Sequence, residues 1–231
     1  MASSLSISVL EQRWPRLYHL TEIGAWPSIE RHGLLSTASL LDVYGVVGPD
    51  RERLLCQRRP EMRRLERSDV GTAWIRDNKP MNETVLRRTL VGMDVSEYYW
   101  ALNHRVFFFL DEPPLLRLRN APPYRDRAHE MLVLDTAALL ARYGHIVELS
   151  PYNSGAVHPG AKVQRGPRPF LPIGEYPWDE RRDKRPSIAE LTVPGGVQDV
   201  SSLLIERRRL QPETGVAKAD TAHDLPWFCG R

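Results

Sequence analysis

Short apolar runs recur along the chain between polar and turn-forming residues, and most of them are too short to form helices. Runs of about four to eight residues that are rich in β-branched or aromatic side chains are typical of strands. Five segments fit this description: RLYHL (16–20), RVFFFL (105–110), EMLVLDT (130–136), HIVELS (145–150) and SIAELTV (187–193). Because loops and helical segments separate these runs, the pattern favours an α+β fold.

Helical signals fill much of the sequence between the runs. One helix is predicted to begin at Pro27 and end at Gly33, because proline suits the first turn and glycine readily forms a left-handed cap. Asn82 and Ser96 are predicted to cap two further helices, since their side chains accept hydrogen bonds from free backbone N–H groups. More helices are predicted over SLLDVYG (39–45), the arginine-rich stretch 51–67 and TAALLARYG (136–144).

Two stretches show little periodicity and are predicted to be loops, residues 71–81 and residues 151–186. The second stretch is rich in proline, glycine and arginine, which is typical of long functional loops. Residues 1–210 are predicted to form a single domain, and residues 211–231 a C-terminal tail.

Composition narrows the class of protein. The chain is 42% hydrophobic and 26% charged, which are ordinary values for a globular protein. No run approaches the roughly 18 apolar residues of a membrane span, and the N-terminal segment lacks the basic and apolar regions of a signal peptide. A cytoplasmic location without a membrane partner is therefore expected. The two cysteines match no metal-binding spacing, so no metal site is expected.

Arginine is concentrated in three places, and the net charge is +3. The cluster within residues 51–67 contains the four candidates for nucleic-acid binding, Arg58, Arg59, Arg63 and Arg64. Clustered arginines can contact a phosphate backbone, but they can also form a solvated helix face together with nearby glutamates. The other two clusters lie at 181–185 and 207–209.

His19 and Thr21 are two residues apart on a predicted strand, so their side chains lie on the same face. A strand histidine can equally be a structural group. The sequence Tyr-His-x-Thr, followed by an apolar helix and then Gly33-Leu34-Leu35, resembles the opening of ADP-ribosyltransferase-fold enzymes. It is most similar to the DarT-type DNA ADP-ribosyltransferases and then to the RNA 2′-phosphotransferases. The resemblance implies a split β-sheet core with flanking helices and long loops, in which His19 and Thr21 bind NAD.

Glu190 lies in the last predicted strand, within SIAELTVPGGV. A carboxylate that is buried without a partner is costly, so Glu190 is expected to face a cleft, unless its strand is an exposed edge. The segment looks like the last motif of the DarT-type enzymes, and this resemblance implies that Glu190 is the catalytic carboxylate.

Other candidate residues also come from the resemblance. Tyr152, Asn153 and Ser154, in a small-residue turn, are candidates for contacts with the nicotinamide ribose or the substrate, although a plain turn is an equal alternative. Arg76 is the candidate for the diphosphate, with a salt bridge to Asp77 as the alternative. The remaining candidates for the cofactor are Asn103 and Arg105, which could instead cap the strand.

The predicted function is NAD-dependent transfer of one ADP-ribose to a nucleic-acid base with release of nicotinamide, and single-stranded DNA is the favoured acceptor. NAD-dependent removal of an RNA 2′-phosphate, transfer to protein and a non-enzymatic binding module are the alternatives. The resemblance also implies that the protein is a toxin, with an antitoxin or an ADP-ribosylglycohydrolase as its partner.

Overall fold

The computed structural model describes residues 6–177 and 188–212, which form eleven strands, eight α-helices and two short 3-10 helices. The strands are β1 (Arg16–Glu22), β2 (Leu34–Leu35), β3 (Arg63–Arg67), β4 (Gly71–Ile75), β5 (Arg105–Phe109), β6 (His129–Asp135), β7 (Glu148–Ser150), β8 (Leu171–Pro172), β9 (Glu190–Pro194), β10 (Gly196–Val197) and β11 (Leu204–Leu210). The α-helices are α1 (Ile7–Arg13), α2 (Trp26–His32), α3 (Thr37–Val43), α4 (Gly48–Cys56), α5 (Glu83–Thr89), α6 (Val95–Asn103), α7 (Glu112–Arg119) and α8 (Thr136–Tyr143). The predicted α+β class is confirmed.

Seven strands form the main sheet in the order β11-β6-β1-β5-β9-β7-β8, and every neighbouring pair is antiparallel. The five predicted strand segments correspond to β1, β5, β6, β7 and β9. Strand β7 begins later than predicted, because the N–H groups of Ile146 and Val147 both donate to the carbonyl of Tyr143 at the end of α8. Two smaller antiparallel pairs, β2 with β10 and β3 with β4, lie outside the main sheet.

The main sheet is nearly divided in two between β1 and β5. Strand β1 pairs with β6 along its whole length, whereas Tyr18↔Phe109 is the only position at which it is in register with β5. One half of the sheet is therefore β11-β6-β1, and the other half is β5-β9-β7-β8. We call this boundary the split.

The two faces of the sheet follow the alternation of side chains along each strand. One face holds the largest apolar cluster, to which Leu17, Phe108 and Leu191 contribute fully buried side chains. The opposite face holds a smaller apolar cluster near β1, in which Leu20 and Met131 pack against residues of α7. Burial of this apolar surface is the main force that stabilises the sheet.

Helix α2 ends as predicted at Gly33, which has a φ of +89°. A Cβ atom at this position would lie 2.5 Å from the Cα atom of Gln198, so a larger residue would clash. Helix α5 is capped by Asn82 as predicted. Helix α6 is capped by Asp94 and not by Ser96, because Asp94 and Glu97 form a capping box in which each accepts from the other's backbone N–H.

The prediction of one helix over residues 51–67 is wrong, as is the prediction of a loop over all of 71–81. Helix α4 ends at Cys56, and β3 and β4 then form a hairpin. Leu65 is buried between exposed neighbours, an alternation that suits a strand with one covered face. Helices α3 and α4 pack on this hairpin around a separate apolar cluster, and we call residues 37–75 the hairpin module.

Helices α1 and α7 and strand β11 were not predicted. The cluster 207–209 lies within β11, at one edge of the sheet, where the side chains alternate between partly covered and exposed. The cluster 181–185 and most of the predicted C-terminal tail lie outside the described residues. Within the described part of the chain, no helix is long and apolar enough to cross a membrane.

Candidate active site

A cavity of about 300 Å³ lies at the split. It is lined by β1 on one side and by β5 and β9 on the other, and the loop after β7 and the residues after β4 complete its wall. Its volume is at the lower end of the range for small-molecule sites. Of the predicted site residues, His19, Thr21, Arg59, Arg76, Asn103, Arg105, Asn153, Ser154 and Glu190 line this cavity.

Glu190 is buried, with 4% of its surface exposed, and one of its oxygens is fixed. Its Oε2 accepts hydrogen bonds from the backbone N–H of Ser154 at 3.0 Å and from the Ser154 hydroxyl at 2.6 Å. Its Oε1 accepts no hydrogen bond from any described residue. Burial raises the pKa of Glu190 to about 7, while the two bonds from Ser154 and the positive charge of Arg165 act in the opposite direction. The carboxyl group therefore titrates near neutral pH.

The loop that carries Ser154 is anchored to α6. The hydroxyl of Tyr98 donates to the carbonyl of Ser154 at 3.0 Å. The guanidinium of Arg165 lies over the ring of Tyr152 at 4.3 Å and donates to the carbonyl of Ala156 at 3.0 Å. These contacts hold Ser154 against Glu190 and place a buried positive charge nearby.

His19 connects the two halves of the sheet. Its Nδ1 lies 2.9 Å from the carbonyl oxygen of Phe107 on β5, and because a carbonyl only accepts, Nδ1 carries the hydrogen. Burial lowers the pKa of His19 to about 4, so the ring is neutral at pH 7. Its Nε2 is then a hydrogen-bond acceptor. Thr21 lines the cavity two residues further along the same strand.

Arg76 lines the cavity, and one of its side-chain nitrogens has no hydrogen-bond partner among the described residues. Its Nη1 donates to the carbonyl of Leu20 at 3.2 Å, and its guanidinium lies 4.5 Å from the centre of the Tyr124 ring. Its Nη2 is buried without a hydrogen-bond partner among the described residues. Among the described residues, Arg76 does not form the alternative salt bridge with Asp77. The Asp77 carboxylate instead accepts a hydrogen bond from the Tyr124 hydroxyl at 2.7 Å.

Asn103 and Arg105 are engaged in structural contacts. The amide of Asn103 donates to the carbonyl of Leu55 and accepts from Arg59, both at 2.8 Å. Arg105 forms a bidentate ion pair with Glu148, at 2.5 and 3.2 Å, and also donates to the carbonyl of Ala101. Both residues touch the cavity wall, but their polar groups are directed into the protein fold.

Tyr152 and Asn153 occupy different environments although they are adjacent. Tyr152 packs against Arg165, and its buried hydroxyl has no hydrogen-bond partner among the described residues. Tyr152 does not line the cavity. Asn153 is exposed at the cavity wall. Of these two residues, Asn153 is the one placed to touch a ligand.

The four arginines predicted to bind nucleic acid do not form one patch. Arg59 is directed inward, and its three side-chain nitrogens donate to the carbonyl of Leu54, to the carbonyl of Arg76 and to Asn103. Arg58 is exposed and donates to a backbone carbonyl. Arg63 and Arg64 are exposed on β3, where Arg64 pairs with a glutamate two residues further along the strand.

Sequence reasoning missed several residues of the site. Arg165 lies in an aperiodic segment that offers no local signal. Glu22, Asp77, Tyr124 and His129 are distant in sequence, and they come together only where β1, β6 and the residues after β4 meet.

The fold and the site define an α+β protein with a nearly divided antiparallel sheet and a buried, serine-bound carboxylate at the division. The chain belongs to a family of unknown function (DUF7002), whose model matches residues 15–204. The matched range includes both His19 and Glu190. Comparisons with curated proteins and with solved structures give no match.

Proposed function

We propose that this protein is an NAD-dependent mono-ADP-ribosyltransferase that modifies a nucleic-acid base, with single-stranded DNA as the favoured acceptor. One observation carries the proposal. His19 and Glu190, the two residues on which the resemblance depends most, come from opposite halves of the divided sheet and line the same cavity.

The proposed reaction places positive charge on the substrate beside Glu190. A nitrogen or oxygen of the acceptor base bonds to C1′ of the nicotinamide ribose, the bond from C1′ to nicotinamide breaks, and nicotinamide leaves with the electron pair. The ribose passes through an oxocarbenium-like state, as in glycoside hydrolysis. A fixed carboxylate stabilises this charge in a site with little water.

The unequal environments of the two Glu190 oxygens suit this role. Ser154 holds Oε2, so the carboxylate keeps one orientation, while Oε1 remains available to the ribose or to the proton that leaves the acceptor. With a pKa of about 7, the ionised form is well populated at neutral pH and can still take up a proton.

His19, Thr21 and Arg76 would hold the dinucleotide. The neutral His19 ring offers an acceptor to a ribose hydroxyl, and Thr21 offers a hydroxyl on the same side of β1. The unpartnered Nη2 of Arg76 suits a diphosphate oxygen, because a charged donor and an anionic acceptor form a strong hydrogen bond. Holding the substrate in this way would raise the rate, because the reacting carbon is already oriented toward the acceptor.

The acceptor class rests on exposed arginines, two of which, Arg63 and Arg64, pair in register with cavity-lining residues of β4. After Arg59 is set aside, Arg58, Arg63 and Arg64 are exposed, and a phosphate would compete with Glu66 for Arg64. Single strands are favoured, because a base must leave the stack before it reaches an enclosed electrophile.

The test is to incubate the protein with NAD and separate pools of single-stranded DNA, RNA, 2′-phosphorylated RNA and protein, and to weigh the products by mass spectrometry. The proposal predicts that a DNA base gains the mass of one ADP-ribose. If the 2′-phosphorylated RNA loses its phosphate and DNA is not modified, the function is that of an RNA 2′-phosphotransferase. Modification of protein alone would overturn the nucleic-acid acceptor.

A further inference from the structure

A second group of buried and partly buried polar side chains lies at the end of β1. It consists of Glu22, Arg76, Asp77, Tyr124 and His129, and we call it the polar cluster. Four of the five line the cavity, and His129 lies behind them. Asp77 and His129 are 6% and 0% exposed, so a polar atom of either side chain that lacks a hydrogen-bond partner is costly.

The cluster contains three buried acceptor atoms that receive no hydrogen bond within the described chain: Glu22 Oε1, Asp77 Oδ2 and His129 Nε2. The Nδ1–H of His129 donates to the carbonyl of Arg127 at 3.1 Å, and burial lowers the pKa of the ring, so Nε2 bears a lone pair. It lies 3.8 Å from Glu22 Oε1, beyond hydrogen-bond distance. Native proteins leave few buried acceptors without a donor.

The other atoms of the same carboxylates are already engaged. Glu22 Oε2 accepts from Arg127 at 2.6 Å, and Asp77 Oδ1 accepts from Tyr124 at 2.7 Å and from the backbone N–H of Lys79 at 3.1 Å. These bonds fix both carboxylates and leave one oxygen of each unpaired. Charge also favours a neutral donor, because Arg76 and Arg127 already balance Glu22 and Asp77.

We propose that the polar cluster is a subsite for a ribose cis-diol, which donates to Glu22 and Asp77, and that it selects against a phosphate on that ribose. A diol supplies two O–H donors, one for Glu22 Oε1 and one for Asp77 Oδ2. A phosphate ester supplies only acceptors at neutral pH and would face two carboxylates. This inference rests on the proposed function, in which the diol belongs to the adenosine of NAD, so NAD is preferred to NADP.

The experiment is isothermal titration calorimetry with ADP, 2′-deoxyADP and IDP, none of which requires transfer. The cluster predicts that removal of the 2′-hydroxyl weakens binding at least tenfold, whereas IDP binds like ADP because the base lies outside the subsite. If IDP binds more weakly than ADP while 2′-deoxyADP binds as tightly as ADP, the diol assignment is overturned. Equal binding of NAD and NADP would overturn the selection against phosphate.

The matched variant is Asp77→Asn, which replaces the unpaired Oδ2 by a donor and keeps an oxygen for Tyr124. ADP affinity is expected to fall at least tenfold, and the preference for NAD over NADP is expected to narrow. Glu22→Gln is the second variant if Asp77→Asn fails to fold, and Asp42→Asn, at an exposed ion pair in α3, is the control. Unchanged affinity in folded Asp77→Asn or Glu22→Gln would overturn the subsite. ADP binding that depends on the cluster, without any transfer from NAD, would keep the subsite and overturn the proposed function.

Discussion

The split in the main sheet and the hairpin module use charged residues in opposite ways. At the split, Glu190 is buried and His19 is partly buried, and each is held by hydrogen bonding to a residue distant in sequence. On the hairpin, Arg63 and Arg64 are exposed, and the pair that Arg64 forms with Glu66 is local. Buried groups gain shifted pKa values and fixed orientations, whereas exposed pairs contribute little to stability. We therefore place the proposed chemistry at the split and limit the proposed role of the hairpin to recognition.

The largest expected effect comes from removing the charge at the split. Glu190→Gln keeps the size of the side chain and a hydrogen-bond acceptor for Ser154. We expect turnover to fall at least about 100-fold, roughly 3 kcal/mol of transition-state stabilisation, because the main electrostatic group is lost. NAD affinity, measured by calorimetry, is expected to stay within a few-fold. Glu66→Gln on β3 is the control, and a Glu190→Gln rate above about a tenth of wild type would move the carboxylate role elsewhere.

The pH dependence of stability is the next largest effect. Because the folded pKa of Glu190 is raised from 4.5 to about 7, its contribution to stability is fully present below pH 4.5 and is lost as pH rises through about 7. Glu190→Gln lacks this dependence. The free energy of unfolding of the wild type, from denaturant titrations, should therefore fall relative to the variant by up to about 3 kcal/mol over this interval. Parallel curves for the two proteins would contradict the raised pKa of the buried Glu190 carboxyl.

Within the arginine cluster, the comparison predicts unequal roles. Burial lowers the pKa of Arg59 to about 10, and its donors hold two backbone carbonyls and Asn103. Arg59→Ala is expected to reduce the free energy of unfolding by about 2–3 kcal/mol, since buried acceptors lose a charged donor. Arg63→Ala should change it by less than about 0.5 kcal/mol. Similar losses for the two variants in chemical denaturation would show that Arg59 is not structural.

His19→Ala tests the acceptor atom on β1. We expect the dissociation constant of a non-hydrolysable NAD analogue to rise about tenfold, on the order of one hydrogen bond, with a smaller change in the rate of the bound complex. His104→Ala is the matched control, because His104 also bonds a carbonyl through Nδ1 but does not line the cavity. Unchanged affinity in a folded His19→Ala protein would return His19 to a purely structural role.

The smallest effect is expected on the hairpin. Replacing Arg63 and Arg64 together by alanine should raise the Michaelis constant for single-stranded DNA a few-fold and flatten its dependence on salt, because two phosphate contacts are lost. Hydrolysis of NAD without DNA should not change. If the double variant modifies DNA like the parent at every salt concentration, the hairpin arginines form a solvated surface only.

Local sequence was sufficient to predict the strands that carry the site. The runs around His19 and Glu190 are short and apolar, so their secondary structure follows from composition and length. Local sequence could not show which arginine of a cluster is directed inward, because this depends on Asn103 and on backbone carbonyls far along the chain. For the same reason the bonds of Ser154 to Glu190 and the polar cluster were not predictable from spacing. The sequence predicted β3 as part of a helix and β4 as part of a loop, because a short hairpin with many charged or polar residues shows little periodicity.

The proposed reaction requires NAD to bind at the split with its reacting carbon beside residue 190. A crystal structure of Glu190→Gln grown with NAD would show whether it does, since the variant is expected to bind the dinucleotide without consuming it. We expect density for NAD between β1 and β9, with the nicotinamide ribose next to residue 190 and the adenosine ribose at Glu22 and Asp77. NAD bound elsewhere on the protein, or a cavity that stays empty at saturating NAD, would contradict this expectation.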